Sequence, residues 1–190
     1  MKEIMKLGLI LLIISGISAT LLGFTNEVTK NQIANQRELE SQKKRVEVLS
    51  AADKFEKLSQ EKMTSIISKN DKVKEIYIGY KNDNVVGYVV KTMPVGFGGP
   101  VEVITGISLD GKLSGVRVGS HQETPGLGAN ATLPSFYTQY NGKDANNDVS
   151  VSKTNAEGNQ IQAISGATIT SKAVTRGVNF SIEAVKFLKE

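Results

Sequence analysis

The feature that most constrains this chain is an uninterrupted apolar run near its N-terminus. Residues 7–24, LGLILLIISGISATLLGF, carry no charged side chain, and Lys2 and Lys6 precede them. Such a run measures about 27 Å as an α-helix, close to the ~30 Å hydrocarbon core of a bilayer. A cleaved signal peptide has a shorter apolar core and ends at a small-x-small site, which Ala19 does not complete. The run therefore predicts an uncleaved transmembrane anchor over 1–26.

Charge alone leaves the orientation of this anchor open. Basic residues lie on both sides of it: Lys2 and Lys6 before, and Lys30, Arg37, Lys43 and Lys44 after. A short N-terminal head is easily retained inside, whereas a long following domain is exported largely regardless of its charge. We therefore expect a single-pass protein of the cell (inner) membrane, with a cytoplasmic N-terminus and an extracytoplasmic domain.

The segment 27–69 has few glycines, no proline and many Glu, Lys, Gln, Arg and Ala residues, which favour helix. Residues 27–45 are polar on all sides, which is typical of a stalk. Apolar residues then recur at helical spacing and predict a helix face packed on the domain: Val48, Leu49, Ala52, Phe55 and Leu58. We expect a helical stalk over 27–47 and a folded domain over 48–190.

The domain sequence predicts strands followed by a helix. Segments rich in β-branched and aromatic residues cover 73–80, 84–92, 101–109 and 112–120. Asp110-Gly111 predicts a type I′ hairpin turn, in which both central residues have positive φ. A final helix over 171–188 is predicted by apolar residues at helical spacing: Val174, Val178, Ile182, Val185 and Leu188. The expected fold class is α+β, with a transmembrane helix and stalk before a mainly antiparallel sheet with packed helices.

The absence of cysteine narrows the chemistry. The chain has 0 Cys and 1 His, which excludes disulfides, Fe–S clusters, c-type haem attachment and catalytic thiols, and disfavours a zinc site. Its 23 Lys+Arg and 19 Asp+Glu are mixed along the sequence, so no basic face indicates nucleic-acid binding. Redox chemistry would need an organic cofactor.

The stretch 164–172, ISGATITSK, combines small residues with hydroxyls just before the predicted final helix. Gly166 and Ala167 allow a ligand to approach the backbone closely, and Ser165, Thr168 and Thr170 supply hydroxyls. The N-terminus of a helix presents free N–H groups and a partial positive charge, which suit a phosphate. An ordinary Ser/Thr N-cap explains the same pattern. The residues alone leave both interpretations open.

The stretch 120–130, SHQETPGLGAN, is a second candidate for ligand binding. Pro125-Gly126 marks a turn, and Gly126 and Gly128 permit backbone conformations closed to other residues. Glu123, Thr124 and neighbouring N–H groups can line a planar ligand. A loop that leaves the hairpin accounts for the same residues.

Two other features are interpreted as structural. The stretch 93–100, MPVGFGGP, lacks the Gly-Lys-Ser/Thr ending of a phosphate-binding loop and is typical of a connection between strands. His121 has no evident partner for a role as a base or a ligand.

Taken together, the two candidate stretches resemble the FMN-binding domain family found in Rnf complexes and in sodium-translocating NADH:quinone reductases. The resemblance rests on Glu123-Thr124-Pro125-Gly126-Leu127-Gly128 followed by Ser165-Gly166-Ala167-Thr168-Ile169-Thr170. The second hexapeptide matches the flavinylation pattern of the family, Ser/Thr-Gly-Ala-Ser/Thr-x-Thr. The order and spacing of the stretches, after one membrane anchor, extend the resemblance over residues 45–190 in pattern.

This resemblance implies that FMN is attached through its phosphate to the hydroxyl of Thr170, a phosphoester that a separate flavin transferase makes from FAD. The 123–128 stretch would then lie against the isoalloxazine ring. The implied cofactor-binding residues are Thr170, Ser165, Gly166, Ala167, Thr168, Glu123, Thr124, Gly126, Leu127 and Gly128. No catalytic residue and no metal ligand of the chain is implied. Thr170→Ala is expected to remove covalent flavin and leave the fold intact, because Thr170 is predicted at a helix start outside the core.

Within the family, the chain resembles the G-type subunits of Rnf complexes, because 190 residues fit the shorter Rnf form. This implies an electron carrier within a membrane-bound, ion-translocating ferredoxin:NAD oxidoreductase, whose catalysis belongs to the assembly. Its partners would be other membrane and peripheral Rnf-type subunits, a flavin transferase during maturation and membrane lipid, with no nucleic acid. The alternatives are a component like the C-type subunit of the quinone reductase, another extracytoplasmic flavinylated carrier, and a non-redox membrane-anchored binding module.

Overall fold

The computed structural model describes residues 1–189, which belong to two compact units, Met1–Gln42 and a unit that begins at Lys43. A single long helix, α1, runs over Lys2–Val48 and includes the predicted helical segment 27–47. It contains an 18-residue window of mean hydropathy 2.3, and none of that window is buried. By length and composition, α1 is able to cross a membrane, as the apolar run predicted.

The second unit is built on a five-stranded antiparallel sheet with the strand order β1-β2-β3-β4-β5. This confirms the predicted α+β class, and all four predicted strands are present. Its elements in chain order are β1 (Lys54–Lys57), α2 (Gln60–Lys69), β2 (Val73–Lys81), β3 (Asn84–Thr92), β4 (Val103–Ser108) and β5 (Leu113–Val118).

The rest of the chain follows β5 and ends in a helix. A short helix, α3 (Pro134–Tyr137), is followed by a small parallel pair, β6 (Ser150–Ser152) and β7 (Gln160–Gln162). The last element, α4 (Thr168–Lys189), packs on β3 and β4. Its predicted apolar stripe is confirmed, since Val174, Val178, Ile182 and Val185 are buried and Leu188 packs at the edge of the same core.

The sheet separates two hydrophobic cores because neighbouring residues of a strand face opposite sides. Ile76 of β2 lies in the larger core, with α2 and α4. Tyr77, the next residue, lies in a smaller core on the other side, which is closed by Val48, Leu49 and Ala52. The sheet is therefore covered on both faces.

The predicted helix through residues 49–58 is wrong. α1 ends at Val48, and β1 pairs with β2, with Phe55 opposite Gly79. The apolar residues of this segment are buried or partly buried, but in different cores: Leu49 lies in the smaller core, whereas Leu58 packs against the larger one. These residues pack on opposite faces of the sheet, and their spacing in the sequence coincides with that of one helix face. The pattern therefore predicted a helix that is not present.

The turn prediction is also corrected. Asp110 does not have a positive φ; Gly111 does (φ 77°), and its N–H donates to the Ser108 carbonyl at 3.2 Å, within a longer, bulged connection. The two-residue turn with positive φ at both positions is Asn82-Asp83 (φ 48° and 61°), between β2 and β3. Short polar side chains tolerate this left-handed conformation without a glycine.

Four glycines make the smaller-core face of the sheet flat enough for the segment after α1 to lie directly on the strands. A Cβ built on any of them would approach residues 48–52 to 3.0 Å or less: Gly79, Gly87, Gly106 and Gly115. At Gly106 it would collide with the Val48 carbonyl oxygen and lie 2.5 Å from Ser114 Oγ, which itself donates a hydrogen bond to that carbonyl at 2.5 Å.

We expect Gly106→Ala to destabilise the domain by about 1–3 kcal/mol, because the added methyl group forces backbone apart in a packed region. For a domain of this size the unfolding midpoint should fall by several degrees. Thermal unfolding followed by circular dichroism checks this. A midpoint equal to that of the unmodified sequence would contradict the close packing of Val48 on β4.

Candidate functional site

The small-residue stretch 164–172 forms the entry into α4. The helix begins at Thr168, three residues earlier than predicted, so Thr168 and Thr170 belong to its first turn. The residue before the helix is Ala167, whose carbonyl accepts the Ser171 N–H at 3.0 Å. An ordinary Ser/Thr N-cap is therefore not what this sequence pattern encodes. The N–H groups of Thr168, Ile169 and Thr170 have no acceptor within residues 1–189.

A chain of buried hydrogen bonds holds this entry in place. Ser171 Oγ accepts the Ile164 N–H at 2.9 Å and donates to the Ala167 carbonyl at 3.0 Å. Thr175 Oγ1 donates to the Ser171 carbonyl at 2.9 Å and lies 2.8 Å from the Tyr140 hydroxyl. Because the single proton of Thr175 is already used, Tyr140 is the donor in that contact. Burial raises the pKa of the Tyr140 phenol, which keeps this donor protonated.

The 120–130 stretch forms a compact loop beside this entry. The Thr124 carbonyl accepts the N–H groups of Leu127 and Ala129, both at 3.1 Å, and a 3₁₀ turn begins at Gly128. A Cβ at Gly166 would lie 3.1 Å from Leu127 Cδ2, so the two motifs are in direct contact. His121 Nδ1 accepts the Glu123 N–H at 3.2 Å, which gives this histidine a role in the loop backbone.

Glu123 and Thr170 meet at the centre of the site. Thr170 Oγ1 donates to Glu123 Oε2 at 2.5 Å, and the other carboxylate oxygen accepts the Gly98 N–H at 2.9 Å. Glu123 is 6% exposed and Thr170 is 1% exposed. The prediction that Thr170 lies outside the core is therefore wrong: it begins a helix, but the two loops packed over that helix end bury it.

Above this pair is a cleft of about 350 Å³, within the ~300–1,000 Å³ typical of small-molecule sites. Eight of the ten residues predicted to bind a cofactor line it: Glu123, Thr124, Leu127, Gly128, Gly166, Ala167, Thr168 and Thr170. The other two, Ser165 and Gly126, are not part of the lining. The remaining lining residues are Phe97 and Ile169, which are 70% and 54% exposed.

Sequence reasoning missed the contribution of the 93–100 stretch, which it interpreted as a plain connection. Gly98 supplies the backbone donor to Glu123, and Phe97 supplies an aromatic wall of the cleft. The stretch is tied to α4 by Arg176, whose guanidinium donates to the Val95 carbonyl at 2.8 Å. The signal available in the sequence was a phenylalanine between two glycines in a chain with few aromatic residues.

The cleft is suited to an anionic ligand with a flat apolar part. Free N–H groups at the start of the 22-residue α4 and the helix dipole favour a phosphate. The side chains of Phe97, Leu127 and Ile169 offer apolar surface beside it. In the described part of the chain, residues 1–189, no group of three or more Asp, Glu or His side chains is placed to hold a metal ion.

Comparison with known proteins agrees with this geometry. Residues 96–183 match the family model of the FMN-binding domain, and residues 1–48 match that of the RnfG N-terminal region. A crystal structure of the C-type subunit of the Na⁺-translocating NADH-quinone reductase of Parabacteroides distasonis aligns with a TM-score of 0.52 at 28% identity, over 61% of this chain and 63% of that one. Fold and cleft thus define an FMN-binding-domain protein with an apolar N-terminal helix.

Full-length relatives narrow this class. The G-type subunit of the Na⁺-translocating ferredoxin:NAD⁺ oxidoreductase complex of Acetobacterium woodii is 44% identical, over 100% of this chain and 95% of the relative. Its counterpart in the proton-translocating complex of Clostridium ljungdahlii is 38% identical, over 80% and 76%. The chain belongs to the RnfG family, the G-type subunits of Rnf complexes. The sequence-based assignment to RnfG is confirmed.

Proposed function

We propose that this chain carries FMN as an electron-transfer subunit of an ion-translocating ferredoxin:NAD oxidoreductase complex. The observation that carries the proposal is the cleft at the start of α4, where a threonine hydroxyl, free helix N–H groups and an apolar wall converge. The FMN-binding-domain match covers all of these elements. When bound, FMN supplies the capacity to accept and pass on electrons singly or in pairs.

The residues of the cleft fit such a cofactor. The phosphate would lie against the N–H groups at the start of α4, next to Thr170, where the helix dipole stabilises negative charge. Phe97, Leu127 and Ile169 would cover part of the flat ring and exclude water from it. Gly128 leaves room at the Glu123–Thr170 pair, since a Cβ there would lie 2.5 Å from Glu123 Oε2 and 2.6 Å from Thr170 Oγ1.

The attachment we propose is covalent, a phosphoester between the FMN phosphate and Thr170 Oγ1. Support comes from Thr170 being the motif hydroxyl that both lines the cleft and lies at its buried base. A separate flavin transferase, with FAD as the donor, would make the bond. The covalent bond would keep the cofactor in a cleft that is open to solvent.

In the cell, residues 1–26 would anchor the chain in the cytoplasmic membrane lipid, with 27–47 as a stalk and 48–190 as the flavin domain. We propose a cytoplasmic N-terminus and an extracytoplasmic flavin domain. The chain would pass electrons between other membrane and peripheral subunits of the complex and bind no substrate itself. A free-standing flavinylated carrier, or a non-redox module on a membrane anchor, is the rival function.

The test is intact-mass analysis and peptide mapping of the full chain produced with an active flavin transferase. We expect a mass gain equal to FMN less one water, on the peptide that contains Thr170. If the chain gains no adduct although the same transferase modifies a control substrate, the protein would return to the class of non-redox membrane-anchored modules. Co-purification of flavinylated chain with other Rnf-type subunits would separate the complex subunit from the free-standing carrier.

A further inference from the structure

The contact between Glu123 and Thr170 has the geometry of a nucleophile and its base. A threonine hydroxyl is a weak nucleophile until a neighbouring group takes its proton, and such pairs are recognised by a hydrogen bond plus a third group that orients the base. Here Thr170 Oγ1 donates to Glu123 Oε2 at 2.5 Å, and the Gly98 N–H holds the other carboxylate oxygen at 2.9 Å. The proton of Oγ1 is directed at the carboxylate, which leaves the oxygen lone pairs free for the cleft that Thr170 lines.

The surroundings of Glu123 are built around this contact. A Cβ at Gly96 would collide with Oε1, and a Cβ at Gly128 would collide with both Oε2 and Thr170 Oγ1. Two loops that are distant in sequence, 93–100 and 120–130, therefore have glycines where the carboxylate lies. This arrangement fixes both the direction in which the carboxylate points and its buried position below the cleft.

Glu123 is a buried acidic side chain held by hydrogen bonds. The side chain is more than nine-tenths buried, and within residues 1–189 it forms no ion pair. Burying a carboxylate without a cation is costly. Each of its two oxygens accepts one hydrogen bond, from the Gly98 N–H and from the Thr170 hydroxyl, whereas an amide has one acceptor oxygen and an NH2 group that only donates. A carboxylate therefore suits both donors, and it is also the group beside Thr170 Oγ1 that can take up the hydroxyl proton.

We propose that Glu123 is the general base for the modification of Thr170, so that this chain supplies part of the chemistry of its own flavinylation. The proposal rests on the proposed function, covalent attachment of FMN from FAD. Thr170 Oγ1 attacks the phosphorus of the FMN half of FAD, and the Oγ1–P bond forms as the P–O bond of the anhydride bridge breaks. AMP leaves with the bridging oxygen, and the hydroxyl proton passes to Glu123 Oε2 and then to solvent. The transferase binds FAD and stabilises the leaving group.

The test measures the rate of adduct formation by intact mass, with the full chain, FAD and a flavin transferase, as a function of chain concentration. Glu123→Gln keeps the size of the side chain and, with its oxygen still accepting the Gly98 N–H, places an NH2 group that cannot accept a proton against Thr170 Oγ1. We therefore expect the maximal rate to fall about 10²–10⁴-fold, the usual contribution of a general base. The KM for the chain should change less than about threefold, because the surface on which the transferase docks is intact. A structural role alone would not separate the two parameters in this way.

Two further variants make the result decisive. Glu123→Asp keeps a carboxylate on a shorter side chain and should react at least about tenfold faster than Glu123→Gln. Glu102→Gln is the matched control: Glu102 is a half-buried carboxylate that pairs with Lys91 at 3.6 Å and does not touch Thr170. Its rate should stay within about twofold of the unmodified sequence. Thermal unfolding of each variant reports whether it is folded.

The failure of this proposal is distinct from failure of the proposed function. If the unmodified sequence gains no adduct, or if the adduct persists in Thr170→Ala, covalent flavinylation at Thr170 is overturned. If the adduct forms on Thr170 but Glu123→Gln reacts as fast as the unmodified sequence, or Glu123→Asp no faster than Glu123→Gln, the base is overturned while the flavoprotein stands.

Discussion

Thr170→Ala is expected to remove covalently bound flavin completely. The substitution deletes the hydroxyl proposed to carry the phosphoester, and the other hydroxyls of the motif are in different environments. Ser165 is exposed and outside the cleft, and Thr168 is only half-buried at its edge. The measurement is flavin fluorescence that stays with the denatured polypeptide in a gel, together with the intact mass. Any adduct that remained in this variant would overturn Thr170 as the attachment site.

The same substitution is expected to lower stability. Thr170 is buried, and removing its hydroxyl leaves Glu123 Oε2 without the donor that now lies 2.5 Å away. A buried charged group that loses a hydrogen bond costs about 2 kcal/mol, so the unfolding midpoint should fall by a few degrees. This differs from the expectation of an undisturbed fold that the sequence alone suggested.

Ser165→Ala provides the control for both effects. Ser165 belongs to the same hexapeptide but is exposed. Its variant should keep the adduct on Thr170 and the unfolding midpoint of the unmodified sequence. Loss of flavin in Ser165→Ala as well would mean that the whole motif is read by the transferase, and that the loss in Thr170→Ala does not locate the bond.

Gly128→Ala is expected to lower flavin attachment at least about tenfold. The new methyl group would lie 2.5 Å from Glu123 Oε2 and 2.6 Å from Thr170 Oγ1, so it must push the carboxylate away from the hydroxyl. It also occupies space at the base of the cleft. Overpacking of this kind costs about 1–3 kcal/mol. The rate of mass gain with FAD and the transferase measures attachment, and thermal unfolding measures stability.

Gly126→Ala, two residues earlier in the same loop, is the matched control. Gly126 has φ +74° and open space around its Cα, so alanine there strains the backbone by about 1–2 kcal/mol without touching the cleft. The two variants should therefore lose similar stability, while only Gly128→Ala loses flavin attachment. Equal attachment rates in the two variants would contradict a requirement for close contact between Glu123 and Thr170.

The sequence was most informative where a pattern has one structural explanation. The strand segments 84–92 and 73–80 are found where their β-branched and aromatic residues predicted them, and the apolar stripe of α4 is found where its periodicity predicted it. It failed for residues 49–58, where Leu49 and Leu58 serve opposite faces of the sheet and imitate a helix. It failed again at the turns, because Asn82-Asp83 adopts the left-handed conformation that Asp110-Gly111 had suggested.

For the site, the two motifs were found in the sequence but their relation was not. Glu123 was expected to lie against the ring, whereas the structure directs its carboxylate at Thr170. The contributions of Gly98 and Phe97 depend on how the connection after β3 folds over the start of α4. No periodicity records such a contact, because it joins loops separated by many residues.

By itself, the sequence determined the membrane-compatible helix, four of the strands with the last helix, and the two motifs that identify the family, because these are properties of consecutive residues. The tertiary structure alone decided which side chains meet. It buried Thr170, turned Glu123 towards it, and brought into the site a glycine-rich loop, 93–100, that the sequence had indicated to be a plain connection. The physical reason is that burial and hydrogen-bond partners are set by the packing of α4 and three loops against one another, and not by any one segment.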